Sequence, residues 1–193
     1  MTERNPKNTP ATRRAAMIGL GLGGLGAALF VGRKSWTHFD LGNRLFNPTD
    51  VHNFTLPAVT GVTRADGSAM PGFGSKDLVG QPTLLHGFGS WCPDCRAEHP
   101  ELMRLVSAHN LRLFGLDFLD NDEKAAAYLK AEGNPFYALG ADPTGIVTHA
   151  FGIRGVPSTV LLDKGGDLVM VVPGPLTEEM VTYRLLPKMA QLG

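Results

Sequence analysis

The sequence predicts an α/β domain, a mixed central sheet with helices on its faces, set behind an apolar amino-terminal segment. Three observations lead there. The run Thr-Leu-Leu-His-Gly-Phe at 83–88 follows Pro82, opens on a β-branched residue and carries no charge, as a buried central strand does. Strand-like and helix-like stretches alternate after residue 53. Two strand-like runs, 159–162 and 167–172, flank Lys164-Gly165-Gly166 and read as a hairpin on the sheet edge.

Taken in order, residues 1–14 form a basic tail and residues 15–32 an uncharged run between Arg13-Arg14 and Arg33-Lys34. At about 1.5 Å per residue the run reaches roughly 26 Å, enough at its short end to cross a bilayer. It ends without the small-residue cleavage site of a secretory signal, so an uncleaved anchor is expected over a removed leader. The excess of Arg4, Lys7, Arg13 and Arg14 on the near side favours an inside amino terminus. Thr12-Arg13-Arg14 resembles the start of a twin-arginine signal, but Ala15, Ala16 and Met17 continue it poorly. Gly19, Gly21 and Gly24 satisfy a dinucleotide-type glycine spacing but lack the strand and acidic residue that fingerprint needs.

Residues 33–52 read as a linker and 53–193 as the folded domain. Within it the expected elements are a short strand in 53–59, the strand 83–88, a helix after the cysteines, a strand at 111–116, a helix at 121–132 closed by Gly133, the hairpin, and a last helix from Thr177 that Pro187 kinks or splits.

Composition narrows the function. Eighteen basic and eighteen acidic residues leave no positive excess for a nucleic-acid backbone. The only two cysteines, Cys92 and Cys95, close too short a ring to act chiefly as a staple. Cys-x-x-Cys is also half of a zinc site, but the nearby His86 and His99 do not complete a ligand pattern, and no metal is expected. At a strand-to-helix junction the first sulfur lies over free helix N–H groups, where the macrodipole favours thiolate. Pro93 suits the first helical turn. Cys92 then exchanges with substrate and the more buried Cys95 resolves the mixed disulfide.

Trp91-Cys92-Pro93-Asp94-Cys95-Arg96-Ala97-Glu98-His99-Pro100, with Gly133-Asn134-Pro135 and Phe151-Gly152-Ile153-Arg154-Gly155-Val156-Pro157, resembles the thioredoxin superfamily and within it the membrane-anchored DsbE/CcmG branch. The resemblance implies a thioredoxin-like fold and a thiol:disulfide oxidoreductase of the bacterial inner membrane, single-pass, with its soluble domain in the periplasm. It implies reduction of apocytochrome c or of haem-ligation maturation proteins, a membrane thiol-reductant donor of DsbD/CcdA type, and no bound cofactor. It makes Cys92 the exposed nucleophile, Pro157 a cis-proline facing it, Val156 a backbone partner for substrate, Trp91 and Pro93 parts of the motif, and Glu98 a contributor to the partner surface.

Three positions depart from the branch or modify its chemistry. Ser158 stands where glutamate commonly follows the proline. Asp94 sits between the cysteines and opposes negative charge on the first sulfur, which predicts a reducing couple, nearer thioredoxin's roughly −270 mV than roughly −120 mV. His86 occupies a place given to aspartate or asparagine in relatives; it either accepts the Cys95 proton, directly or through water, or fills the core as a hydrogen-bonded histidine. The acidic run Asp117, Asp120, Asp122, Glu123 lacks the glycine and terminal glutamate of a calcium loop and reads as a solvated loop and helix start. Two rival functions use the same residues: a general periplasmic disulfide reductase, and a non-enzymatic metal or haem chaperone.

Overall fold

A computed structural model describes residues 53–193, Ala65 excepted. The tail, membrane segment and linker predicted for 1–52 lie outside the described residues. The chain opens with a small antiparallel pair, β1 (Thr55–Leu56) and β2 (Phe73–Gly74), and a 3-10 turn at Ser75–Leu78. Next come β3 (Thr83–Phe88), α1 (Pro93–Ala108), β4 (Leu113–Phe118), α2 (Asp122–Glu132), β5 (Ala138–Asp142) and α3 (Ile146–Ala150). The hairpin β6 (Ser158–Leu162) and β7 (Leu168–Pro173) leads to α4 (Glu178–Met180), a π-helical stretch Val181–Leu185, and α5 (Leu186–Leu192).

The main sheet runs β5-β4-β3-β6-β7, with β3, β4 and β5 parallel and β6 and β7 antiparallel to their neighbours. Side-chain alternation sorts the strands into two cores. Leu84, Leu113 and Leu161 join Leu102 and Leu105 of α1, Leu129 of α2 and Val181 and Leu185 of the C-terminal segment. Leu85, Phe114, Val160 and Leu162 join Leu56, Phe73, Phe151 and Ile153 on the other face. Covered on both sides, β3 and β6 are buried at every residue, which is why they read as short runs without charge.

The structure adds β5 and α3 to the expected elements and moves β4 two residues later than 111–116. The shift comes from the end of α1. Asn110 adopts φ 48°, its N–H reaches the Ser107 carbonyl, and the Leu111 N–H closes on the Val106 carbonyl at 3.0 Å. This is a Schellman cap, so Leu111 finishes the helix before the strand starts. Asn121 caps α2 by accepting from the Glu123 and Lys124 N–H groups, and Gly133, at φ 95°, ends it. Pro187, without an N–H to donate, comes just after the π-helical stretch, which marks a local widening in a last helix whose backbone stays helical through Met180, Leu185 and Leu186.

Candidate functional site

Strand β3 delivers Gly89-Ser90-Trp91 to the start of α1, and Cys92 is the N-cap of that helix. Its sulfur accepts the Cys95 N–H at 3.2 Å, taking the capping role that a serine or aspartate oxygen takes elsewhere. Pro93 occupies the first turn, where no N–H is needed. Both cysteines are in the dithiol form. The Cys92 thiol donates to the Val156 carbonyl at 3.5 Å, across the cis Val156–Pro157 bond. The expected contrast of an exposed Cys92 and a buried Cys95 is absent: the residues are 3% and 2% exposed, with the Val156 carbonyl against the first sulfur. Burial pushes the Cys95 thiol well above its ordinary range, with the Cys92 sulfur and the Glu98 charge adding to the effect.

The approach segment is fixed from several sides. The Ser90 N–H is accepted by Asp120 Oδ2, and its carbonyl accepts Arg96 Nε at 2.8 Å, while the Arg96 guanidinium lies over the Tyr128 ring. Trp91 is 52% exposed, and its indole N–H donates to the Phe118 carbonyl at 3.1 Å. The ring packs onto Gly89, where a Cβ would come within 2.5 Å of the indole nitrogen. Along the Val156–Pro157 bond opens a cleft of about 510 Å³ lined also by Asp94, Arg154, Ser158 and Pro173. Ser158 turns its hydroxyl to the Gly155 carbonyl at 2.7 Å. Asp94 is exposed at the mouth of this cleft.

Beneath the cysteines lies a pairing that the sequence does not announce. His86 Nε2 and Glu98 Oε1, both buried, stand 3.0 Å apart as an ion-pair contact that does not meet hydrogen-bond geometry. Glu98 Oε2 accepts the Leu176 N–H at 3.0 Å. Glu98, 6% exposed, is therefore an interior residue and not part of a partner surface. His86 Nδ1 contacts Thr159 Oγ1 at 2.9 Å, and the ring stacks near Phe136. With one nitrogen turned to Thr159 and the other to Glu98, His86 does not present a base directly to Cys95. Glu98, one turn along α1, is the group whose charge reaches the thiol.

Two further acids join the site from the run expected to be solvated. Asp117, 2% exposed, lies beside Phe88 of β3, and Asp120 holds Ser90. Only their proximity to β3 across the sheet reveals them, since no spacing in the sequence links residue 90 to residue 120. The zinc alternative loses its extra ligands: His99 Nε2 contacts the Gly133 carbonyl at 3.0 Å, and His86 is engaged by Thr159 and Glu98. Among the described residues no cluster of three potential metal ligands occurs, and no helix is long and apolar enough to cross a membrane.

Comparison with known proteins agrees with this architecture. The family model described as Redoxin matches residues 55–185. The chain is 38% identical over 117 residues to a thiol:disulfide interchange protein DsbE homolog of Paracoccus denitrificans, covering 60% of this chain and 64% of that one. It is 34% identical over 116 residues to the thiol:disulfide interchange protein DsbE of Pseudomonas aeruginosa, covering 60% and 64%. In each case it spans less than two thirds of the relative's length. A secreted Mycobacterium tuberculosis disulfide oxidoreductase described as homologous to Escherichia coli DsbE superposes with a TM-score of 0.57 at 18% identity, over 72% of this chain and 98% of that one. A thioredoxin family thiol:disulfide interchange protein of Chlorobium tepidum gives 0.53 at 25%, over 72% and 93%. Fold, cysteine placement and these matches together lead to one conclusion: the chain belongs to the Redoxin family, with a thioredoxin-like fold and DsbE-type relatives.

Proposed function

We propose that the protein is a membrane-tethered thiol:disulfide oxidoreductase that reduces disulfides in apocytochrome c or its haem-ligation partners on the periplasmic side of the bacterial inner membrane. The observation that carries the reading is Cys92 at the N-cap of α1, its sulfur on the Cys95 N–H and against the carbonyl of Val156, a residue that lines a cleft.

The steps balance on these two sulfurs. The Cys92 thiolate attacks one sulfur of the substrate disulfide; a mixed disulfide forms, and the other substrate sulfur leaves as a thiolate that takes up a proton. Cys95 loses its proton and attacks Cys92, and the second substrate thiol departs. The enzyme is left with a Cys92–Cys95 disulfide, which a donor dithiol of DsbD/CcdA type reduces. Because burial holds the Cys95 proton tightly, the second attack needs an acceptor. Glu98, supported by His86, is the interior group suited to that task. Val156, Pro157 and Asp94 border the cleft that would seat an extended substrate segment. Tethering through residues 15–32 would raise the effective concentration of membrane-resident partners.

Trapping tests the proposal. Full-length protein with Cys95→Ala cannot resolve, so Cys92 should retain its natural partner as a mixed disulfide. Recovery of apocytochrome c or a haem-ligation protein supports the reading. A broad mixture of periplasmic proteins replaces it with general disulfide reduction, and no trapped partner at all removes both.

A further inference from the structure

Disulfide exchange at Cys92 and Cys95 makes no use of the buried carboxyl of Asp117. It stands on β4 beside Phe88 of β3 and Ala141 of β5, neither of which is charged. Alternation from Leu113 places it on the sheet face that carries the cysteines and Phe88. One of its oxygens, Oδ1, has no partner among the described residues. Two more acids act on it electrostatically, Asp120 just beyond the end of β4 and Asp122 in the first turn of α2.

Asp120 has fixed obligations. Its Oδ2 accepts the Ser90 N–H and its Oδ1 accepts the Asn121 N–H at 2.8 Å. In both contacts Asp120 acts as an acceptor. Asp122 likewise accepts the Thr60 N–H at 2.8 Å. A second charge on Asp117, 2% exposed, would be buried beside them, and Arg96 across the segment is committed to the Ser90 carbonyl and the Tyr128 ring. The inexpensive solution is a proton on Asp117, which turns its carboxyl into a donor toward Asp120. Burial, then the charges of Asp120 and Asp122, raise the Asp117 carboxyl in that direction.

The loop joining the two acids is also held in an unusual conformation. Leu119 adopts φ 50°, a left-handed backbone that a leucine avoids, while its N–H is fixed to the Asp142 carbonyl at 3.1 Å. Phe118, the last residue of β4, receives the Trp91 indole N–H on its carbonyl. The 117–120 segment thus grips Ser90 and Trp91, the two residues that precede the nucleophile.

We propose that Asp117 and Asp120 share a single proton, and that this acid–carboxylate pair is a positioning device holding the Ser90–Cys92 segment for disulfide exchange. The second half of the proposal rests on the oxidoreductase reading; the first does not. Above the pH at which the shared proton leaves, two facing carboxylates repel, and Asp120 and its grip on Ser90 shift.

Trp91 reports this directly. In full-length protein with Trp36→Phe, Trp91 is the sole tryptophan, and adding Cys92→Ser and Cys95→Ser removes thiol ionisation from the signal. Trp91 emission should then titrate with a midpoint near 8. Asp117→Asn, whose amide still donates to Asp120, should abolish the transition. Absence of the transition in the parent, or its survival in Asp117→Asn, overturns the shared proton. With the cysteines restored, Asp117→Asn should exchange disulfides at pH 7 within about twofold of the parent, and Asp117→Ala about tenfold more slowly. Equal rates for Asp117→Ala and the parent would overturn the positioning role, as would a tenfold loss in Asp117→Asn while that variant melts like the parent. A protein that exchanges no disulfides in any form would defeat the enzymatic reading, with the fluorescence titration still deciding the shared proton.

Discussion

Glu98 has two interior contacts and no outlet to solvent. Removing its carboxylate leaves the Leu176 N–H without an acceptor and His86 Nε2 without its neighbour. Glu98→Ala should therefore lower the unfolding free energy by about 3 kcal/mol, the scale of breaking a buried polar pair from one side. Glu98→Gln keeps an oxygen for Leu176 and should cost about 1 kcal/mol. Urea denaturation reads both, and an Ala variant within about 0.5 kcal/mol of the parent would show that the pair is not sealed from water. Asp117 gives the complementary pH behaviour. Its carboxyl is raised from 3.8 to about 8 in the folded chain, by burial first and by Asp120 and Asp122 next. The folded state thus binds this proton more tightly than the unfolded state does. The associated stability is fully present below about pH 4 and is lost as pH rises through about 8. Denaturation midpoints should decline over that window in the parent and decline less in Asp117→Asn; identical slopes would show that Asp117 is not the group concerned.

Among the elements, β5 illustrates a strand set by tertiary packing. Its sequence, Ala-Leu-Gly-Ala-Asp, has little of the β-branched or aromatic character that marks a strand. The reason is overhead: a Cβ at Gly140 would lie 2.6 Å from the Leu56 Cβ and 3.0 Å from the Phe73 ring, because the β1–β2 pair packs on this strand. Gly140→Ala should cost about 2 kcal/mol through overpacking. Gly155→Ala, with open space around it, should stay within about 0.5 kcal/mol. Comparable losses in the two variants would refute the packing account. The strands legible in the sequence are those whose own side chains fill both cores, β3 and β6 above all. Those hidden, β5 and the true start of β4, depend on contacts from residues far along the chain or on a helix cap. The site divides the same way. Cys92, Cys95, Pro93 and Pro157 announce themselves by motif. The His86–Glu98 pair and the Asp120–Ser90 contact join residues on different elements, and nothing in their spacing along the chain brings them together.

At the scale of the whole molecule, folding and redox state are linked, since any difference in stability between the dithiol and disulfide forms is a difference in potential between the folded and unfolded cysteine pair, with 30 mV equivalent to about 1.4 kcal/mol. A strongly oxidising member of such a fold gains its potential by stabilising the reduced form. Little here does so. Asp94 places a negative charge in the first turn, competing with the Cys92 sulfur for the helix N-terminus. Cys95 remains a neutral thiol held by burial, with the Glu98 charge opposing its ionisation. The disulfide form, in contrast, keeps the chain-entropy advantage of a closed ring, about 2 kcal/mol for so short a loop. The oxidised protein should accordingly unfold at higher denaturant concentration than the reduced protein. Paired denaturation curves with and without a dithiol reductant measure the gap. A reduced form more stable than the oxidised one would reverse the direction of electron flow inferred for Cys92 and Cys95, and would make the protein a donor of disulfides.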